Sequence, residues 1–554
     1  MNLSNLFPAI IFVSTVIISC SPEKQQADFI VHNAVVYTVD SAFSTAESFA
    51  VKDGKIIAVG KNDEILSRYD TKEKVDAQGK AVFPGFIDAH CHFLSYGLGL
   101  QRADLVGTKS FDEVIQRVVE FSKTNKSEWI MGRGWDHNDW DSPVGMAGPK
   151  EFPTKTKLDS LFPNTPVFLK RIDGHAALVN SEALRRANIT EKTKIDGGIV
   201  EVKSGKTTGI VIDNAVDLVA KVIPLPSKDA RTKALHAAQA DCFAAGITTV
   251  DDAGLDKEVI ELIDELQKSG ELTMRVYAML TDNKENLDYY LEKGPYKTER
   301  MNVHSFKFYA DGALGSRGAC LLQPYSDKPE QQGFLLNKPE YYDEMAKKMY
   351  EKGFQMCTHC IGDSGNRFLV DTYGKVLSGK NDKRWRIEHV QVVNKNDFEK
   401  FGKYSIIPSV QSTHATSDMY WAEKRVGPER VKGAYAYKDL LQAAGLVALG
   451  TDFPVENISQ LYTFYASVAR KDLKGFPENG FQMENALTRE ETLKGMTIWA
   501  AFSNFEEKEK GSIEKGKFAD FIILDKDIMK INIDEVPNVK VTATYVNGEK
   551  VYSK

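Results

Sequence analysis

Residues 81–92 read AVFPGFIDAHCH, and the way this run ends decides the fold. It is short, apolar and rich in β-branched and aromatic residues, so it reads as a buried strand that stops at its polar end. On a strand, positions i and i+2 share a face, which sends His90 and His92 to one side and Cys91 to the other. Two imidazoles on one strand face are weak evidence alone. They gain weight because runs of this kind recur: GITTVDDAG (246–254), MRVYAML (274–280), VHSFKFYADG (303–312), FQMCTHC (354–360), RWRIEHV (384–390), SIIPSVQ (405–411) and GLVALGTD (445–452). Amphipathic stretches such as 229–244 and 436–444 fall between them, and a helix over 488–503 opens with the capping-box spacing Thr488–Glu491. Eight alternating units predict an α/β fold, a (β/α)8 TIM barrel spanning 81–509, with its chemistry at the C-terminal ends of the strands.

The flanks read differently. Residues 27–80 and 510–554 hold short alternating strands and the turn signals Asp53-Gly54 and Asn547-Gly548. Neither end buries a core alone, so one composite β-sandwich from both termini is expected. The stretch at about 105–228 breaks the alternation and is far longer than a βα loop, which predicts a subdomain inserted after the first barrel strand. Leu6–Ile18 is an apolar run too short to span a bilayer, which takes about 20 residues. It ends in Ile-Ile-Ser-Cys20, so residues 1–20 read as a lipoprotein signal peptide resembling a bacterial lipobox, although no Lys or Arg precedes Cys20. Cys20 would carry the lipid, and the exported chain would touch a bacterial membrane through that anchor only, on the periplasmic or surface side.

Composition bounds the partners. Lys and Arg number 71 against 77 Asp and Glu, a net charge of −6, which argues against a nucleic-acid footprint. Six cysteines in 554 residues are too few for a disulfide scaffold. The ten histidines are more informative: besides His90 and His92, His359 and His389 end the fifth and sixth strand runs, and Asp452 ends the eighth. Four imidazoles and a carboxylate at one end of a barrel predict a divalent metal site, zinc above all. Lys307 lies between Phe306 and Phe308, so parity turns it to the barrel interior, where burial should lower its pKa. A neutral amine there can add carbon dioxide and become a carbamate able to bridge two metals. The alternative is a structural lysine paired with Asp252 or Asp311.

With these residues in place the chain resembles the amidohydrolase superfamily, in the branch that includes N-substituted formamide deformylases. The matching text is PGFIDAHCH (84–92), GRGWDHNDW (132–140), DGHAALVNSEAL (173–184), KFYADGALGSRGA (307–319), THCIGD (358–363), RIEHVQ (386–391), LGTDFPV (449–455) and GSIEKGKFADFIILD (511–525), within a match from about residue 29 to 554. The resemblance implies that His90, His92 and Asp452 hold a first metal, that His359 and His389 hold a second, and that Lys307 bridges them as an N6-carboxylated residue. It also implies hydrolysis of a small-molecule amide-type substrate, with Asp452 as general base and acid. Two other readings stand beside it: a non-catalytic metal-containing binder of small molecules, and the same site acting on esters or lactones.

Other residues are weighed against plainer roles. Trp135 and Trp140 are read as lining or capping a pocket, and His175 as reaching substrate if the insertion folds over the barrel mouth. Arg317 is read as binding a carboxylate or carbonyl oxygen, with loop-positioning hydrogen bonds as the plain alternative. His137 and Asp139 read as a packed turn, and Cys357–Cys360 as strand residues rather than a redox motif. His32, His236 and His304 read as structural, and His414 is left open.

Overall fold

The computed structural model describes residues 24–124, 127–141 and 151–554. Cys20 and the apolar leader lie outside the described residues.

Eight strands pair in parallel: β1 (Phe86–Cys91), β2 (Ile247–Leu255), β3 (Arg275–Thr281), β4 (Met301–Tyr309), β5 (Gln355–Cys360), β6 (Arg386–His389), β7 (Ile407–Val410) and β8 (Ala448–Leu449). The ring closes where the chain leaving β8 meets β1. The Asp452 amide donates to the His90 carbonyl at 2.7 Å, and the His92 amide to the Phe453 carbonyl at 2.8 Å. The TIM barrel expected from the eight runs is therefore the observed fold. The helices obey the same physics. Lys257–Lys268 buries Val259, Ile260, Leu262, Ile263 and Leu266, a stripe at helical spacing, and stops just before Gly270, whose φ is +80°.

Two details depart from the sequence reading. Ala81–Pro84 is not the start of the first barrel strand. It pairs with Val35–Tyr37 on one side and Phe521–Leu524 on the other, in a six-stranded sheet drawn from both ends of the chain. That sheet packs on a second one, made of Phe29–His32, Ser48–Lys52, Lys55–Gly60 and Glu73–Asp76, through Phe29, Val31, Phe49, Phe521 and Tyr545. The helix read over 488–503 is split into Arg489–Gly495 and Ile498–Ser503. The Thr488–Glu491 capping box is present, but the Met496 carbonyl turns out of the helix to accept the Ile87 amide of β1 at 2.9 Å.

Between β1 and β2 lies a third sheet of six strands, Ala103–Asp104, Ile130–Trp135, Val167–Arg171, Ala176–Val179, Lys206–Asp213 and Gly198–Lys203, with apolar cores of its own. Among the described residues no helix is long and apolar enough to cross a membrane.

Candidate metal centre

Strand parity delivers most of the site. His90 on β1, Lys307 on β4 and His359 on β5 all point into the barrel near its C-terminal end, and all are buried. Parity does not deliver His389. On β6 the alternation puts Arg386 and Glu388 inward, so His389 should face out. It instead has φ +72° and the next residue, Val390, has φ +45°, and this left-handed turn swings the imidazole back over the barrel mouth. Asp452 reaches the site the same way, at φ +60°.

The rings gather closely. The His90 and His389 centroids are 4.8 Å apart, and those of His389 and His359 are 4.6 Å apart. Two groups place their ligand atoms within 4.8 Å of one another: His90, His92 and Asp452, and His389, His414 and Asp452. Asp452 joins the two. His414, left open by the sequence, is thus a further candidate ligand. It sits in the helix Ser412–Asp418 after β7, where strand parity says nothing.

The hydrogen bonds fix which nitrogen each ring presents. His90 Nδ1 is 2.6 Å from Glu388 Oε2, His92 Nδ1 is 3.0 Å from the Ala253 carbonyl, and His389 Nδ1 is 2.6 Å from Gln411 Oε1. These oxygens only accept, so each Nδ1 carries the proton and each neutral ring offers a bare Nε2 to the centre. Burial keeps the rings neutral: His90 falls to about 4, helped by Lys307, and His359 and His389 fall well below the usual histidine value. His92 Nε2 then faces Asp452 Oδ1 at 3.2 Å, one lone-pair-bearing atom against another. His359 Nε2, His414 Nε2 and Asp452 Oδ1 are buried without a hydrogen-bond partner. Acceptors converging in this way need a cation between them, and their mix of imidazole and carboxylate suits a divalent transition metal.

Lys307 lies against this group, its Nζ 3.1 Å from His90 Nε2 and 4.9 Å from the Tyr309 ring centre. Neither acid suggested for it takes it. Asp252 accepts the backbone amides of Phe93 and Leu94, and Asp311 those of Cys320, Ile361 and Gly362. Burial pulls the Lys307 ammonium down to about 8, while Glu388 and Asp452 oppose the fall.

Beneath the histidines runs a buried ionic network with no counterpart in the sequence reading. Arg386 reaches Asp251 Oδ2 at 2.8 Å, Glu388 Oε1 at 2.8 Å and Ser409 Oγ at 2.8 Å, and Glu388 in turn holds His90. The only trace in the sequence is the pair of charges at alternate positions in RIEH, on a strand with no exposed face.

The insertion covers the mouth and docks through glycines. A Cβ on Gly312 would lie 2.5 Å from the Asp213 carboxylate, one on Gly318 2.4 Å from it, and one on Gly315 3.0 Å from Arg171. The run ADGALGSRGA is thus a socket for two side chains of the insertion. Asp213 in turn holds His175, with Oδ1 2.8 Å from Nδ1, and puts its ring 4.7 Å from that of His359. Gly318→Ala is expected to destabilise the chain by about 1–3 kcal/mol through overpacking and to lower turnover as His175 shifts. An unchanged melting temperature would show that the socket is slack.

Two sequence-based assignments are corrected. Trp135 does not line the pocket: its indole is buried in the core of the insertion and donates to the Leu169 carbonyl at 2.8 Å. Arg317 does not face it either, because its guanidinium is spent on Asp327, at 2.9 and 3.3 Å, inside the loop after β4. His175, in contrast, lines a cavity of about 1240 Å³ shared with His92, Lys307, His359, His389, His414 and Asp452. Cys91, Cys357 and Cys360 are buried free thiols.

Comparison with known proteins bears on this geometry. A family model described as the amidohydrolase family matches residues 73–552. The chain is 32% identical over 545 residues to the protein LONG AFTER FAR-RED 3 of Arabidopsis thaliana, covering 95% of this chain and 92% of that one. It is 26% identical to the N-substituted formamide deformylase of Arthrobacter pascens, covering 96% and 99%. Among solved structures it resembles an uncharacterized metal-dependent hydrolase from Pyrococcus horikoshii, with a TM-score of 0.73, 28% identity and coverage of 91% and 99%.

Proposed function

This chain belongs to the amidohydrolase family, and on that premise we propose that it is a zinc-dependent hydrolase of small-molecule, non-peptide carbon–nitrogen bonds. The observation that carries the reading is the set of inward-facing acceptors: the bare Nε2 atoms of His90, His92 and His389, with His359 Nε2, His414 Nε2 and Asp452 Oδ1 unpartnered beside them. His90, His92 and Asp452 would hold one ion, and His389 with His359 or His414 a second. Lys307, if carboxylated, would supply a further anionic ligand to this centre.

A divalent metal bound there would polarise the scissile carbonyl and make water a nucleophile near neutral pH. The protein does the rest. Asp452 lies in both ligand groups with its Oδ1 unpartnered, so beside a bound cation its carboxylate can accept the proton of the attacking water. It then returns that proton to the leaving nitrogen, whose departure as an anion would be prohibitive. Glu388, Gln411 and the Ala253 carbonyl hold three rings in one tautomer throughout. His175, braced by Asp213, borders the space the substrate must fill.

Stripping the metal is expected to lower the melting temperature, since the converging acceptors are left to repel one another. Zinc at a hundredfold excess over its Kd should restore about 2.7 kcal/mol. A melting curve indifferent to chelator and zinc would rule the centre out. We also propose that the chain is exported and lipid-anchored at Cys20, on the strength of the apolar run ending in Ile-Ile-Ser-Cys. Metabolic labelling with palmitate that Cys20→Ser abolishes would test this.

A further inference from the structure

The wall that the insertion turns toward the metal centre carries two cations side by side. Arg133 and Lys170 are paired residues on neighbouring parallel strands of the inserted sheet, Ile130–Trp135 and Val167–Arg171. A point one Cβ above Gly174 lies 3.8 Å from Arg133 Nη2 and 3.9 Å from Lys170 Cε, so the two side chains run together over that glycine. Like charges directly opposed across strands destabilise a sheet unless something answers them.

Among the described residues only acids beyond ion-pair distance answer them: Asp452 and Asp173 act on Arg133, and Asp217 and Asp173 on Lys170. Arg133 gives one bond, from Nη2 to the Ile172 carbonyl at 3.0 Å, and its buried Nε has no partner. The acids near the pair are engaged or apart: Asp173 is bound by Arg171, and Asp217 stops short of both. Arg102 adds a third cation to the same wall. The uncompensated charge shows in Lys170, which burial first and Arg133 second bring down to about 8. Arg133 is also near enough to the metal centre for its charge to act on His92 and Asp452.

We propose that Arg133 and Lys170, supported by Arg102, form a subsite for a carboxylate on the substrate, so that the preferred substrates are amides bearing an acid group, such as N-acyl amino acids. The guanidinium supplies a planar fork and the ammonium a point charge beside it, the donor pair that suits a carboxylate. With its acid seated on the insertion, the substrate's amide can reach the barrel mouth, and the metal centre need not recognise the acyl group closely. As to substrate class, the proposal rests on the hydrolase reading above.

The test measures binding apart from turnover. Calorimetry on the full-length zinc-loaded chain would compare 3-phenylpropionate with 3-phenylpropanamide, and hydrolysis would be followed on N-acetylphenylalanine and N-acetylphenethylamine. The wild type is expected to prefer the acid in both comparisons. The Arg133→Gln/Lys170→Met variant should reduce the acid-to-amide affinity ratio about 30-fold or more, the usual cost of removing a buried charge partner. Arg133→Lys, which keeps the charge, should retain most of the preference. A ratio that the double variant leaves unchanged, or a wild type indifferent to the acid, overturns the subsite. Acid binding that depends on Arg133 and Lys170 without cleavage of either amide would uphold the subsite and overturn the hydrolase reading instead.

Discussion

Asp452→Asn is expected to leave a folded, metal-binding chain whose turnover is lower by about 10²–10⁴-fold, the range for removing a general base. Size and backbone both favour a clean substitution. Asn is isosteric with Asp and is among the residues that tolerate the left-handed region, where Asp452 sits at φ +60°. The bond that closes the barrel, from the Asp452 amide to the His90 carbonyl, involves only backbone. What the change removes is the charge that faces His92 at 3.2 Å and the only oxygen in the cluster able to carry a proton from water to a leaving amine. Asp452 also belongs to both ligand groups, so metal affinity should weaken, but at saturating metal the chain should stay folded and loaded while kcat collapses. Full activity in Asp452→Asn would assign the base elsewhere.

Arg386→Met is expected to have the largest effect on stability, about 3–5 kcal/mol, because it leaves buried charges without their partner. Arg386 is 0% exposed and joins Asp251 to Glu388 at the floor of the site. Burial alone would raise both acids. It already lifts Asp251 to about 7 with Arg386 opposing, and Glu388 is kept well below the usual range by Arg386 and His90. Without the guanidinium Asp251 rises further above its unfolded value and Glu388 rises with it, so the folded variant binds extra protons. Its stability should then fall as pH rises, and the deficit against wild type should be wider at pH 8 than at pH 6. Urea titrations at the two pH values would measure this. Glu388, no longer braced, should also hold His90 less firmly and weaken metal affinity by about 10–100-fold. A deficit under 1 kcal/mol, flat with pH, would mean that this network carries no weight in the fold.

What the sequence discloses about this site follows from strand periodicity. His90, Lys307 and His359 are legible because period-two alternation fixes their face and the strand ends fix their height. His92 follows in the same register. The sequence places His389 and Asp452 at strand ends, but the left-handed residues that aim them inward leave no mark in the residue pattern. On β6 strict alternation turns Arg386 and Glu388 inward instead. The insertion is harder to read because its side chains take direction from tertiary packing. Trp135 looks like a pocket residue in GRGWDHNDW yet fills the insertion's core, and Arg317 looks free in GALGSRGA yet closes on Asp327. The glycines of that loop make sense only once Asp213, about 100 residues earlier in the chain, is seen between them. Arg133 and Lys170 become a pair only when the strand register is known. The split at Ala81–Pro84 is hidden for a related reason: the run AVFPGFI (81–87) is apolar throughout, and two sheets share it.

Converging acceptors at the barrel mouth are expected to hold a divalent metal that the chain uses for hydrolysis. The most direct measurement is a zinc titration of the metal-stripped full-length chain, with bound metal and amide hydrolysis read from the same samples. Tight uptake of about one to two equivalents is expected, set by the ligand count at the centre, with activity on N-acyl or N-formyl substrates that rises with occupancy. Hydrolysis that is undiminished in the stripped chain, or a chain that binds no zinc at any ratio, would contradict that expectation.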